Sequence, residues 1–103
     1  MATTVVRKRL EILADAPLVG KIVAELRASG IQGWSVLHVT AGGGRQGEWQ
    51  DDELTGATAK QIVLAITSAE KAAAAAAALG PLLDSYGMIL AIGDVEVVRG
   101  ERF

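Results

Sequence analysis

Gln61-Ile62-Val63-Leu64-Ala65-Ile66-Thr67-Ser68-Ala69-Glu70, followed by Lys71 and the seven alanines Ala72 to Ala78, reads as a buried strand running into a thin helix. Gln61 to Thr67 is short, rich in branched side chains and almost unbrokenly apolar. That predicts a strand with both faces out of water. Thr67-Ser68-Ala69-Glu70 fits a capping box, with a carboxylate three residues beyond the capping hydroxyl. Lys71 to Leu79 then predicts a helix, since alanine is the best helix former and a thin helix lets its backbone sit close to a sheet. Gly80-Pro81 is expected to break or kink it, with Leu82 to Tyr86 adding a further turn.

Downstream, Met88 to Arg99 predicts a fourth strand, and its Met88-Ile89-Leu90-Ala91-Ile92 start is again apolar on both faces. Upstream, Trp34 to Thr40 predicts a second strand. Val5 to Leu13 predicts a first one with a partly wet face, because Val6, Leu10 and Ile12 alternate with Arg7, Arg9 and Glu11. Between these two, Asp15-Ala16-Pro17 opens a helix, proline being suited to the first helical position. Leu18, Ile22 and Leu26 give it an apolar stripe, and Gly30 is a natural stop.

The order β-α-β-β-α-β is the split βαβ, or ferredoxin-like, arrangement. The expected class is α+β, with a four-stranded antiparallel sheet and two helices on one face. An antiparallel sheet open to water on one side should alternate. The third and fourth strands do not, so something must cover the second face, and a homo-oligomer packing sheet against sheet is the simplest answer.

At 103 residues the chain is expected to be a single domain, 1–103. Half of it is hydrophobic but only 4% aromatic, so the core is built from Val, Ile, Leu and Ala. Cysteine is absent, which excludes disulfides, thiolate metal sites and cysteine nucleophiles; His38 is the one histidine. The net charge of −2 gives no overall attraction to nucleic acid. Met1 to Arg9 turns basic where a signal peptide would turn apolar, and no apolar run approaches the ~20 residues of a membrane span. A soluble, cytoplasmic protein is expected.

Ala41 to Ala59 is a long, polar connection without convincing periodicity, between strands that a short hairpin could join. Gly42-Gly43-Gly44-Arg45-Gln46-Gly47 matches G-x-G-x-x-G, yet no helical stripe follows it, as a dinucleotide fingerprint requires. No Gly-Lys-Ser/Thr follows either, which excludes a P-loop. What remains is glycines that bare backbone N–H groups beside a guanidinium, suited to an anion such as phosphate, or else a flexible hairpin tip. Arg99 and Arg102 end the last strand, as phosphate partners or as a solvated tail.

Together these residues resemble the PII signal-transduction family. Gly30-Ile31-Gln32-Gly33-Trp34-Ser35-Val36 is similar to that family's Gly-Ile-x-Gly-x-Thr-Val lead into the second strand. Gly44-Arg45-Gln46-Gly47 falls where the family's Gly-x-Gly-Arg-Gln opens its long T-loop, and the strand ending in arginines is also similar. The resemblance implies a homotrimer that binds ATP or ADP in clefts between subunits. It implies that Gly42, Gly43, Gly44, Arg45 and Gln46 hold phosphate and adenine edges, that Ser35 faces the adenine, that Gly87 belongs to the loop closing over the phosphates, and that Arg99 and Arg102 pair with them. The family's Gly-x-Gly-Lys is here Tyr86-Gly87-Met88, without lysine, and the shorter 41–59 loop has no tyrosine for uridylylation. The pattern looks more like PII-like proteins linked to inorganic carbon, including carboxysome-associated ones. That implies ADP or AMP rather than ATP, bicarbonate as a second ligand, and a protein partner met through the loop.

Rival classes carry less. His38 is strand-borne without an acidic neighbour in sequence, so no catalytic group suggests itself. Glu48, Asp51, Asp52 and Glu53 form an acidic loop, either a hard-cation site or a solvated one. Acylphosphatase shares the fold but depends on an asparagine, and this chain contains none. The better rival is a structural oligomer without nucleotide, like microcompartment shell proteins or copper-tolerance CutA-like trimers.

Overall fold

The computed structural model describes residues 3–44, 47–50 and 59–98. Its elements run β1 (Thr4–Asp15), a 3-10 turn (Ala16–Leu18), α1 (Val19–Ala28), β2 (Ser35–Val39), β3 (Ala41–Gly44), β4 (Gly47–Gln50), β5 (Lys60–Thr67), α2 (Ala69–Ser85) and β6 (Ile89–Val98). The main sheet has the order β2-β5-β1-β6, antiparallel throughout. This is the α+β ferredoxin-like arrangement the element order predicted.

Register shows which residues share a face. Ile12 of β1 lies opposite Val63 of β5 and Leu90 of β6. Leu10, Ile12, Val63 and Ala65 face the helices and are fully or almost fully buried. They meet Leu18, Ile22 and Leu26, the stripe read from the sequence, and Ala72, Ala75 and Leu79 of α2. The two alanines are 2% and 0% exposed, so the alanine run supplies a helix face thin enough to lie close on the sheet. The opposite face carries Leu13, Ile62, Leu64, Ile66 and Ile89, and no described element of the chain covers it.

Several local expectations are corrected. The capping residue of α2 is Ser68, not Thr67: Lys71 N–H donates to Ser68 Oγ at 3.2 Å. Residue 71, a lysine, therefore holds the third helical position, and Glu70 sits one place too early to return the bond, so the box is half formed. Thr67 instead ends β5, buried. Pro81 does not break α2, which runs unbroken to Ser85. A proline inside a helix costs ~3 kcal/mol. Leu79, Leu82 and Leu83 all pack on the core, and burying each contributes roughly 1.5–3 kcal/mol, which offsets it. At the other helix, Pro17 falls in the 3-10 turn ahead of α1, and Asp15 makes no side-chain cap; its carboxylate pairs with Lys60 across the β1–β5 ladder.

The long connection departs furthest from its expected form. Its start is not structureless: β3 and β4 pair as a separate two-stranded ribbon, with Gly42 opposite Trp49 and Gly43 opposite Glu48. Gly47, which opens β4 opposite Gly44, adopts φ +106, a conformation glycine reaches without strain.

Candidate functional site

The site is built on the end of α1. Gly30 N–H donates to the Arg27 carbonyl and Ile31 N–H to the Leu26 carbonyl, both at 3.0 Å. With Gly30 at φ +87, this is a Schellman stop, and the buried Ile31 beside Leu26 supplies its usual apolar contact. A Cβ at Gly30 would meet only the flexible Lys71 side chain, at an ordinary 3.4 Å contact, so the positive φ rather than crowding calls for glycine here. The stop fixes where Gln32 to Ser35 leave the helix.

A groove follows from a mismatch in strand length. β2 begins at Ser35, opposite Leu64, whereas β5 runs on to Thr67. The space beyond the start of β2 is a concavity of about 300 Å³ lined by Gly33, Trp34, Ser35, Leu64, Ala65 and Ile66. Leu64, Ala65 and Ile66 make its floor aliphatic, and Ser35 is the one hydroxyl-bearing residue of its lining. The same Gly30–Gly33 segment, with Thr67 and Lys71, bounds a neighbouring concavity of about 280 Å³. Trp34 packs on the core, and the Arg27 guanidinium lies 4.7 Å from its ring centroid.

Of the residues expected to bind a ligand, Ser35 lies in this groove. Gly42, Gly43 and Gly44 lie in β3, which follows β2 in the chain, and are engaged in the ribbon ladder. Gly87 follows the end of α2 and leads into β6 at the opposite edge. Three strand spacings, roughly 14 Å, separate those edges. One chain alone therefore does not gather Gly87 with Ser35. Arg45, Gln46, Arg99 and Arg102 lie outside the described residues, as do Asp51, Asp52 and Glu53. Among the described residues no group of His, Asp and Glu side chains is placed to hold a metal ion, and no helix is long and apolar enough to cross a membrane. The groove residues the sequence reading passed over are Trp34, Leu64 and Ile66. Trp34 stood within the quoted motif at an unspecified position, and the other two looked like generic strand apolars.

A sequence model of the family described as nitrogen regulatory protein P-II matches residues 7–102. The chain belongs to the P-II family. Proteins of this family are regulatory, so the chain is a PII-like signalling protein and not an enzyme. No curated relative matches it in sequence. Among solved structures it is similar to CPII of Thiomonas intermedia K12, a nitrogen regulatory PII-like protein held with ADP, AMP and bicarbonate. The TM-score is 0.90 at 17% identity, covering 100% of this chain and 98% of that one. A PII-like signaling protein of Thermus thermophilus matches with TM-score 0.83 at 24% identity, covering 97% of each chain. A DUF3240 family protein of Shewanella baltica matches more loosely, with TM-score 0.65 at 18% identity over 84% and 86% of the two chains. At these identities the likeness establishes the P-II fold.

Proposed function

We propose that this P-II protein is a cytoplasmic sensor of adenine nucleotides, a single 1–103 domain that works as a homotrimer and binds ADP or AMP in the clefts between subunits. The observation that carries the reading is the groove between Gly33–Ser35 and Leu64–Ile66. Its aliphatic floor and single hydroxyl suit the flat, mostly apolar faces and polar edge of an adenine. The structural likeness to CPII, which holds ADP and AMP, supports the same ligand class.

The uncovered apolar sheet face and the separation of Ser35 and Gly87 on opposite edges support a homo-oligomer, and membership of the P-II family supports three copies. A neighbouring subunit has to bring the second half of the site. Gly42 to Gln46 hold the phosphates from one side, Gly87 closes over them, and Arg99 and Arg102 supply charge-assisted hydrogen bonds. Without a lysine after Gly87 a third phosphate has no matching cation, so ADP and AMP bind more tightly than ATP. Bicarbonate is the second ligand, as in the CPII structures with ADP, and a carboxysome-linked role is consistent with it. The 41–59 segment is the output. It begins as the β3–β4 ribbon, nucleotide at Gly42 to Gln46 pins that start, and the segment meets a protein partner.

Calorimetry with AMP, ADP, ATP and cyclic AMP, with and without bicarbonate, tests this. ADP or AMP should give a saturable signal, and each ligand should tighten the other by the same factor if the loop couples them. A protein that binds none of these nucleotides would be a structural oligomer instead.

A further inference from the structure

Two concavities meet at Trp34. One is the groove of Leu64 and Ile66, and the other, also about 300 Å³, is lined by Arg27, Gly30, Ile31, Gln32 and Trp34. Trp34 is the residue that lines both. It is held in place from two directions: its body packs on the core, and the Arg27 guanidinium stands 4.7 Å from the ring centroid. Arg27 occupies the last turn of α1, the turn that the Gly30 stop locks. A flat aromatic wall with little freedom, beside an aliphatic floor, is suited to a flat heteroaromatic ring. Aromatic side chains contact any base through its π-face, and overlap grows with ring area.

We propose that Trp34 is the base-recognition residue of the groove, packing against the purine, and that Arg27 is a positioning residue that holds the indole for it. The inference rests on the nucleotide reading above and adds what sets its base preference. A purine covers more of the indole than a pyrimidine does, so ADP binds more tightly than CDP for a reason independent of the phosphates, which the two nucleotides share.

The test is the ratio of ADP to CDP affinity, measured by calorimetry in the full chain and its variants. Trp34→Leu should weaken ADP about tenfold or more and CDP much less, collapsing the ratio, while Trp34→Phe retains most of it. Arg27→Met should lower the ratio severalfold. In Trp49→Phe, which leaves Trp34 as the sole indole, ADP should shift or quench the emission. Trp34→Leu binding ADP as the parent does, or losing ADP and CDP alike while Trp34→Phe does the same, overturns the proposal and leaves nucleotide sensing standing. A parent protein that binds neither ADP nor AMP overturns the nucleotide reading and this inference with it.

Discussion

The two faces of the main sheet have nearly the same chemistry and opposite fates. On the helix side, Leu10, Ile12 and Val63 are 0% exposed. On the other side, Ile62, Leu64 and Ile66 are equally aliphatic but keep contact with water, and Ile89 is 59% exposed. An exposed apolar patch of this extent is a surface awaiting a partner. One face of this sheet is the chain's own core, and the other is the surface on which the proposed trimer would pack. The wet residues support the division. Arg9 and Glu11, an ion pair at 2.7 Å, lie on the open face of β1 at half exposure, where they can fix the orientation of a second copy without entering the core.

The largest expected effect comes from breaking the open face. Ile62 lies between Leu13 and Leu37 in register, away from the groove. Ile62→Asp would bury an unpaired carboxylate in each subunit contact, at a cost on the order of several kcal/mol per ion. Light scattering should show the trimer reduced to monomers. A trimer that survives the change would mean the open face is not the contact.

The matching change on the helix side is Ile12→Ala. It should lower unfolding stability by about 2–5 kcal/mol in denaturant titration, because it opens a cavity in a fully buried cluster. The assembly should stay trimeric. A variant that dissociates before it unfolds would erase the distinction between the faces.

Arg99→Ala and Arg102→Ala probe the proposed cleft between subunits. Each should weaken ADP by about 1.5–3 kcal/mol in calorimetry, the scale of a charged hydrogen bond, with the trimer intact. Unchanged affinity in both would remove the arginines from the site. The smallest effect sharpens the helix side alone: Ser68→Ala deletes the cap that accepts from Lys71 N–H and should cost about 1 kcal/mol of thermal stability, with no change in mass or affinity.

Much of the fold was legible because it is written in periodicity. The stripe Leu18, Ile22, Leu26 and the doubly apolar strand Ile62 to Ile66 each name their surroundings by side-chain type, and the element order limits how such pieces can pack. The Gly30 stop was legible for a related reason, since a residue at φ +87 is costly for anything with a Cβ. The β3–β4 ribbon was not legible. Gly42, Gly43 and Gly44 have no side chains to alternate, so their pairing is a matter of backbone hydrogen bonds that leave no pattern in the sequence. The course of α2 through Pro81 was hidden too, because it depends on a balance between a lost backbone bond and three leucines whose burial only the packed core reveals.

The amino-acid sequence thus carried the four strands of the main sheet, the two helices, their order and the family resemblance, since each rests on local propensity, apolar spacing or short motifs. The tertiary structure alone decided the groove. It exists because β5 outruns β2 by three residues, from Leu64 opposite Ser35 to Thr67, and register is fixed by how side chains interlock across the sheet rather than by either strand. The stacking of Arg27 on Trp34 has the same origin: seven positions apart in the chain, they meet only because the Gly30 stop turns the backbone at one fixed angle.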